Sequence, residues 1–210
     1  MGNGILKYLL FALAGYVSGS IMYSYLIPKL FCGVDIVKEG EDHNPGMTNV
    51  MRCVSVKLGV LCLLLDVAKG FAPVFLAKLY VPDFKNMLFA LVIAAPVLGH
   101  AFTPILKFKG GKGFASYLGM ILAINWKVAL CILAAVVILT VLTDYIVVGT
   151  VTSVVSFPIY TAIRSGWLPL VILCVATLAI LIKHRENFVR IWNGTEMGLS
   201  SAGRGKYKMK

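Results

Sequence analysis

Long apolar runs broken by short polar islands dominate the chain. A bilayer core needs about 20 apolar residues for each crossing helix, and runs near that length recur at 5–30, 57–80, 86–106, 129–145, 146–163 and 167–182. Phe114–Ile124 is too short for a full crossing and reads as a half-span or a tilted helix dipping inward. Lipid offers the backbone no hydrogen-bond partners, so helices satisfying their own N–H and C=O groups are the solution these runs allow. The pattern therefore predicts an all-α integral membrane protein of about seven transmembrane helices. It forms a single polytopic domain over 1–199, followed by a basic, disordered tail over 200–210. The first run passes through Ser18-Gly19-Ser20 into further apolar residues, which reads as a span and not as a cleaved signal peptide.

Composition sharpens this picture. With 59% hydrophobic residues and a mean hydropathy of +0.87, the chain carries more apolar surface than a soluble domain of 210 residues could bury. The formal charge of +11 does not point to nucleic acid, because the cations sit in short loops and a tail beside the spans. The first loop, a lysine-rich turn near 107–112 and the C-terminal tail hold most of the 20 lysines and arginines. The positive-inside bias puts that side in the cytoplasm, with the N-terminus outside and the C-terminus cytoplasmic. The five cysteines stand singly, without a C-x-x-C pair or Cys/His ligand spacing, and read as structural thiols with no metal site.

The polar islands hold the candidate chemistry. In GHAFTPILKFKGGKGFAS, Lys107, Lys109 and Lys112 flank Gly110, Gly111 and Gly113. Glycines let the backbone curl its N–H groups toward one point, and a helix starting near Phe114 would add its unpaired donors. The stretch reads as a phosphate cradle or as a solvated loop. It is not a nucleotide P-loop, since Lys112 is followed by Gly113 and position 106 is Leu106. Ser18 and Ser20 suit either close helix packing or hydrogen bonding to a phosphate. Asn44-Pro45-Gly46 marks a turn, after which Thr48, Asn49 and Arg52 fall on one face of a short helix, as a solvated cap or a ligand set. Asp66 and Lys69 stand at i, i+3 within an apolar run, as a structural ion pair or a site. His100 follows a proline-bent helix end and faces the cradle. The segment 183–196 is amphipathic and interfacial, with His184 and Asn187 one turn apart.

Five of these segments, SGSIMYSYLIPKL, NPGMTNVMR, LDVAKG, GHAFTPILKFKGGKG and KHRENFVRIWNGTE, resemble in order the signature segments of the bacterial acyl-phosphate:glycerol-3-phosphate acyltransferase (PlsY) family. The resemblance implies a multi-pass enzyme of the bacterial inner membrane, with its active site toward the cytoplasm. Such an enzyme moves a fatty acyl group from acyl phosphate to the sn-1 hydroxyl of glycerol 3-phosphate, giving lysophosphatidic acid and phosphate. It implies no cofactor, no metal, and no need for CoA or acyl carrier protein. By motif position, His184, Asn187 and Lys112 would be catalytic. Ser18, Ser20, Asn44, Asn49, Arg52, Lys69, His100, Lys109, Gly110, Gly111 and Gly113 would bind substrate.

The chain departs from the family pattern in places. Val37 stands where an arginine is usual, Glu41-Asp42-His43 replace small residues before Asn44, and Thr103 takes a proline position with Pro104 behind it. Added acids repel a phosphate if they face it. These changes leave room for a different phosphorylated acceptor. A carrier or binder of phosphorylated metabolites on the same fold is the other reading, although paired broken helices at the midplane are not evident.

Overall fold

A computed structural model describes residues 2–40, 42–81 and 86–202. Glu41, the turn expected at Pro82 and Asp83, and 203–210 of the tail lie outside them. The helices, in order, are α1 (Gly2–Ser20), α2 (Tyr23–Cys32), α3 (Ile36–Glu39), α4 (Met47–Cys53), α5 (Val56–Tyr80), α6 (Met87–Ala101), α7 (Phe114–Ile124), α8 (Trp126–Thr143), α9 (Ile146–Ser165), α10 (Trp167–Lys183), α11 (Arg185–Trp192) and α12 (Leu199–Ala202). Their starts follow from local chemistry. Ser55, Asn86 and Asn125 accept the orphan N–H groups of α5, α6 and α8 with their side-chain oxygens.

Four helices are individually long and apolar enough to cross a membrane: α5, α6 with its following 3₁₀ turn, α8 and α9. The run expected as one straight span at 5–30 is instead the pair α1 and α2, bent by 41°, and counts as a fifth candidate. α7 and α10 are apolar but shorter than a crossing requires by length alone. The bend between α1 and α2 is held by neighbouring side chains. Lys69 donates to the Ile21 carbonyl at 2.6 Å, and Thr103 donates to the Ser20 carbonyl at 2.8 Å. These carbonyls lie where no next helical turn can take them.

Close packing surrounds the break. α1 lies along α6, where Gly19 meets the Pro96 backbone and Gly99 the Tyr16 carbonyl. α5 lies along α7, where Gly70 meets the Ser116 carbonyl and Gly119 the Val67 carbonyl. Each contact leaves no room for a Cβ, which is how small residues join helices in lipid. α6 continues through Pro96 to Ala101. Two of the other prolines inside helices, Pro73 and Pro158, free a carbonyl four residues earlier, and neighbours take both. Ser18 donates to the Lys69 carbonyl at 2.9 Å, four residues before Pro73. Tyr117 and Thr177 donate to the Val154 carbonyl at 3.0 and 3.3 Å, four residues before Pro158. Val74, Phe89, Val92, Tyr117, Met120 and Ile180 fill the core between these helices. At the end of the described chain, Leu199–Ala202 forms a helical turn where the composition suggested disorder, because Asp144 accepts the Ser200 N–H at 2.8 Å and its hydroxyl at 2.7 Å.

Candidate active site

The lysine-rich turn is shaped from both sides. Thr103 caps the 3₁₀ turn Pro104–Leu106 through the Ile105 N–H at 3.2 Å, and the Gly110 N–H returns to the Ala101 carbonyl at 3.1 Å. Lys183, at the end of α10, donates to the Gly110 carbonyl at 3.2 Å. Gly111 packs against the His100 imidazole, where a Cβ would collide with Nε2. Gly113 adopts φ +85°, a left-handed conformation that suits glycine, and opens α7 with no side-chain cap. The first-turn donors of α7 are thus left over, beside a cavity walled by Lys112, Gly113, Phe114 and Ala115.

That cavity has a volume of about 210 Å³. Asp42, Asn44, Thr48 and Arg52 come to it from the first loop and α4, Asp66 from α5 and His100 from α6. His184, Asn187, Arg190 and Glu196 come from the C-terminal segment. Leu63 of α5 and Ile146, Val147 and Thr150 of α9 form a mostly apolar wall. Of the side chains singled out in the sequence, Asn44, Thr48, Arg52, Asp66, His100, Lys112, His184 and Asn187 meet here, together with Gly113.

The others are placed elsewhere, each with a visible role. Ser18 serves the carbonyl freed by Pro73, and Ser20 donates to the Tyr16 carbonyl at 2.8 Å within its own helix. Asn49 turns away from the face shared by Thr48 and Arg52 at i, i+4. Its amide donates to Asp42 Oδ1 at 2.7 Å and to the Asn44 carbonyl at 2.8 Å, bracing the loop from behind. Lys69 pairs with Asp66 at 2.6 Å and is 1% exposed, so its ammonium is spent on the α5 pair and the α1–α2 bend. Lys109 is exposed, and Gly110 and Gly111 are consumed in the turn's packing. The cradle expected from three glycines thus contributes only Lys112 and Gly113 to the cavity, because the first two pack on the end of α6.

Hydrogen bonds fix the remaining groups. His184 Nδ1 lies 2.9 Å from the Ile180 carbonyl, which accepts its proton and leaves Nε2 as an acceptor. Burial, only partly opposed by that carbonyl, lowers the His184 pKa to about 4, so the ring is neutral at pH 7. Asn187 donates to Glu196 Oε1 at 2.7 Å, while its buried Oδ1 has no hydrogen-bond partner among the described residues. Glu196 also holds Arg190 Nε at 2.6 Å. Ser116 Oγ lies 3.2 Å from His100 Nδ1. Asp42 Oδ2 pairs with Lys112 at 2.7 Å. Burial pushes the Asp42 carboxyl upward, but Lys112 and the bonds from Asn49 and Asn44 outweigh it and hold it below the usual carboxylate range. Asp42, Arg190 and Glu196 were not singled out as site residues, whereas Thr48 stood with Arg52 in the ligand-set reading of the segment after Asn44-Pro45-Gly46. The i, i+3 spacing of Asn187 and Arg190 was the available signal for one of them, and nothing in the sequence aimed Asp42 at Lys112.

A site with fixed cations, unpaired helix donors and a neutral imidazole suits phosphorylated reactants. A family model described as glycerol-3-phosphate acyltransferase matches residues 9–194. A glycerol-3-phosphate acyltransferase of Thermotoga petrophila is 40% identical over 188 residues, covering 89% of this chain and 94% of that relative. One of Clostridioides difficile is 34% identical over 196 residues, covering 91% and 95%. The fold also matches a crystal structure of PlsY (YgiH), an integral membrane glycerol 3-phosphate acyltransferase, in its glycerol 3-phosphate form. The TM-score is 0.86 at 30% identity, covering 94% of this chain and 98% of that one. The lysophosphatidic acid form of PlsY gives 0.81 at 31% identity, covering 91% and 94%.

Proposed function

The chain belongs to the glycerol-3-phosphate acyltransferase family, and from that premise we propose that its cavity seats an acyl phosphate and glycerol 3-phosphate side by side at the cytoplasmic face of a bacterial inner membrane. The protein is an integral membrane enzyme that acylates glycerol 3-phosphate to lysophosphatidic acid. The finer reading has seven crossings, counting α7 and α10 as tilted or short spans, with the N-terminus outside. The distribution of lysines and arginines supports this orientation. Acyl phosphate is the donor, without CoA, acyl carrier protein, metal or cofactor.

An acyl phosphate is already activated, so the enzyme needs no covalent nucleophile; it holds two anions in reacting distance and stabilises the charge that develops. The primary hydroxyl oxygen attacks the acyl carbon. The bond from that carbon to the phosphate oxygen breaks, phosphate leaves with the electron pair, and the hydroxyl proton passes to a phosphate oxygen. Arg52, Lys112 and the first turn of α7 bind the phosphates. His184 Nε2 accepts from the attacking hydroxyl and aims it before that proton leaves, with Asn187 Oδ1 a second acceptor lining the same cavity. A ring with a pKa near 4 orients better than it stores a proton. The apolar wall of Leu63, Ile146 and Val147 receives the acyl chain from the lipid side.

The observation that carries this reading is the convergence of Arg52, Lys112, His184 and Asn187 on one cavity. Its test is turnover by purified protein given acyl phosphate and glycerol 3-phosphate, followed by mass spectrometry and phosphate release. Lysophosphatidic acid is expected, with kcat/KM lowered about 10²–10³-fold in Lys112→Ala and in Arg52→Ala. Turnover with acyl-CoA and none with acyl phosphate overturns the donor assignment.

A further inference from the structure

Asp42 is an unexpected neighbour for polyanions. It lines the cavity beside Lys112 and Arg52. A phosphate oxygen within hydrogen-bond reach of Lys112 Nζ would sit a few ångströms from Asp42 Oδ2, which Lys112 contacts at 2.7 Å. That proximity repels any anion. A ligand carrying an O–H group beside its phosphate offsets the repulsion by donating to the carboxylate.

The carboxylate has room for such a bond. Oδ1 accepts from the Asn49 amide at 2.7 Å and the Asn44 N–H at 3.3 Å, and Oδ2 accepts from Lys112. A carboxylate offers about four acceptor sites, which leaves one on Oδ2. The side chain is 20% exposed, at the cavity wall. Its three protein donors fix it in place, so it acts as a rigid reader. Of the two reactants, ionised acyl phosphate has no hydroxyl to give, whereas glycerol 3-phosphate has one beyond the hydroxyl that is acylated.

We infer that Asp42 determines acceptor specificity in this chain, by accepting a hydrogen bond on Oδ2 from the central, non-reacting hydroxyl of the polyol phosphate. The assignment rests on the acyltransfer reading above and adds to it the feature of the acceptor that is recognised. His184 Nε2 and Asn187 Oδ1 remain for the reacting hydroxyl.

The test compares glycerol 3-phosphate with 1,3-propanediol monophosphate, which keeps the reacting hydroxyl and lacks the central one. In the natural chain kcat/KM favours glycerol 3-phosphate by about tenfold or more. In Asp42→Ala that preference falls to within about threefold of unity, and in Asp42→Asn it shrinks in the same direction. Protection of the protein against thermal unfolding by each phosphate reads the same preference without turnover. A flat ratio in the natural chain overturns the inference. So does a ratio that survives in both folded variants, or an equal gain for both acceptors, which would make Asp42 only a counter-ion for Lys112. Should the binding preference follow Asp42 while no acyl phosphate is consumed, the donor reading fails and the Asp42 assignment stands. Should turnover proceed with a flat ratio, the reverse holds.

Discussion

His184 shows how much one side chain depends on its surroundings. A histidine is ordinarily half-protonated near pH 6.5, yet burial behind α10 lowers this one to about 4. The unfolded chain therefore binds the extra proton first as pH falls, and stability conferred by the neutral ring is complete above about 6.5 and lost on the way down to about 4. We expect the thermal midpoint of the detergent-solubilised protein to drop across that window, by the equivalent of about 3 kcal/mol at most. His184→Gln should lack that part of the drop. Ser18 offers the converse case. Its hydroxyl occupies the Lys69 carbonyl freed by Pro73, so Ser18→Ala leaves a buried acceptor open. That should cost about 1–3 kcal/mol in thermal unfolding, with a smaller effect on kcat. The identity of both residues was plain in the sequence. The partner that Ser18 takes was not, because the freed carbonyl belongs to a helix about fifty residues away.

Among the elements, the lysine-rich turn carries the sharpest contrast. Its glycines were legible as a place where backbone bends, and α7 begins at Phe114 as expected. Their division of labour was not legible, since Gly110 and Gly111 pack against the end of α6 while Gly113 turns the chain into the cavity. Gly113→Ala places a Cβ at φ +85° and 3.4 Å from Ile180 Cγ1. Left-handed backbone costs a non-glycine residue about 1–2 kcal/mol. We expect a lower thermal midpoint together with a raised KM for the phosphorylated substrates, because the first-turn donors of α7 move. α4 teaches the same lesson. Its start near Gly46 follows from Asn44-Pro45-Gly46, and Thr48 with Arg52 shares one face by helical spacing. Asn49 lies about 100° around the helix from Thr48 and serves the loop instead.

For the molecule as a whole, the Asp66–Lys69 pair joins three helices. It sits 2.6 Å apart at 3% and 1% side-chain exposure, takes the Ser24 hydroxyl at 2.6 Å and holds the α1–α2 bend through the Ile21 carbonyl. Asp66→Asn alone strands a buried ammonium and should destabilise by about 3–5 kcal/mol, whereas Asp66→Asn with Lys69→Met should recover much of that loss in the same unfolding assay. Orientation is testable at this scale too. With the five native thiols replaced, an impermeant maleimide should label Lys127→Cys in intact cells, and Lys38→Cys only after permeabilisation; both positions are exposed. The sequence by itself determined the membrane class, the positions of most of the long helices and the identity of the motifs, because hydropathy, caps and helix-breaking residues act over a few neighbours. Tertiary structure alone decided the break in the first span, which motif residues face the cavity, and the pairing of Asp42 with Lys112. Those depend on groups tens of residues apart competing for the same buried carbonyl, ammonium or amide, and a local pattern has no means of ranking such competitors.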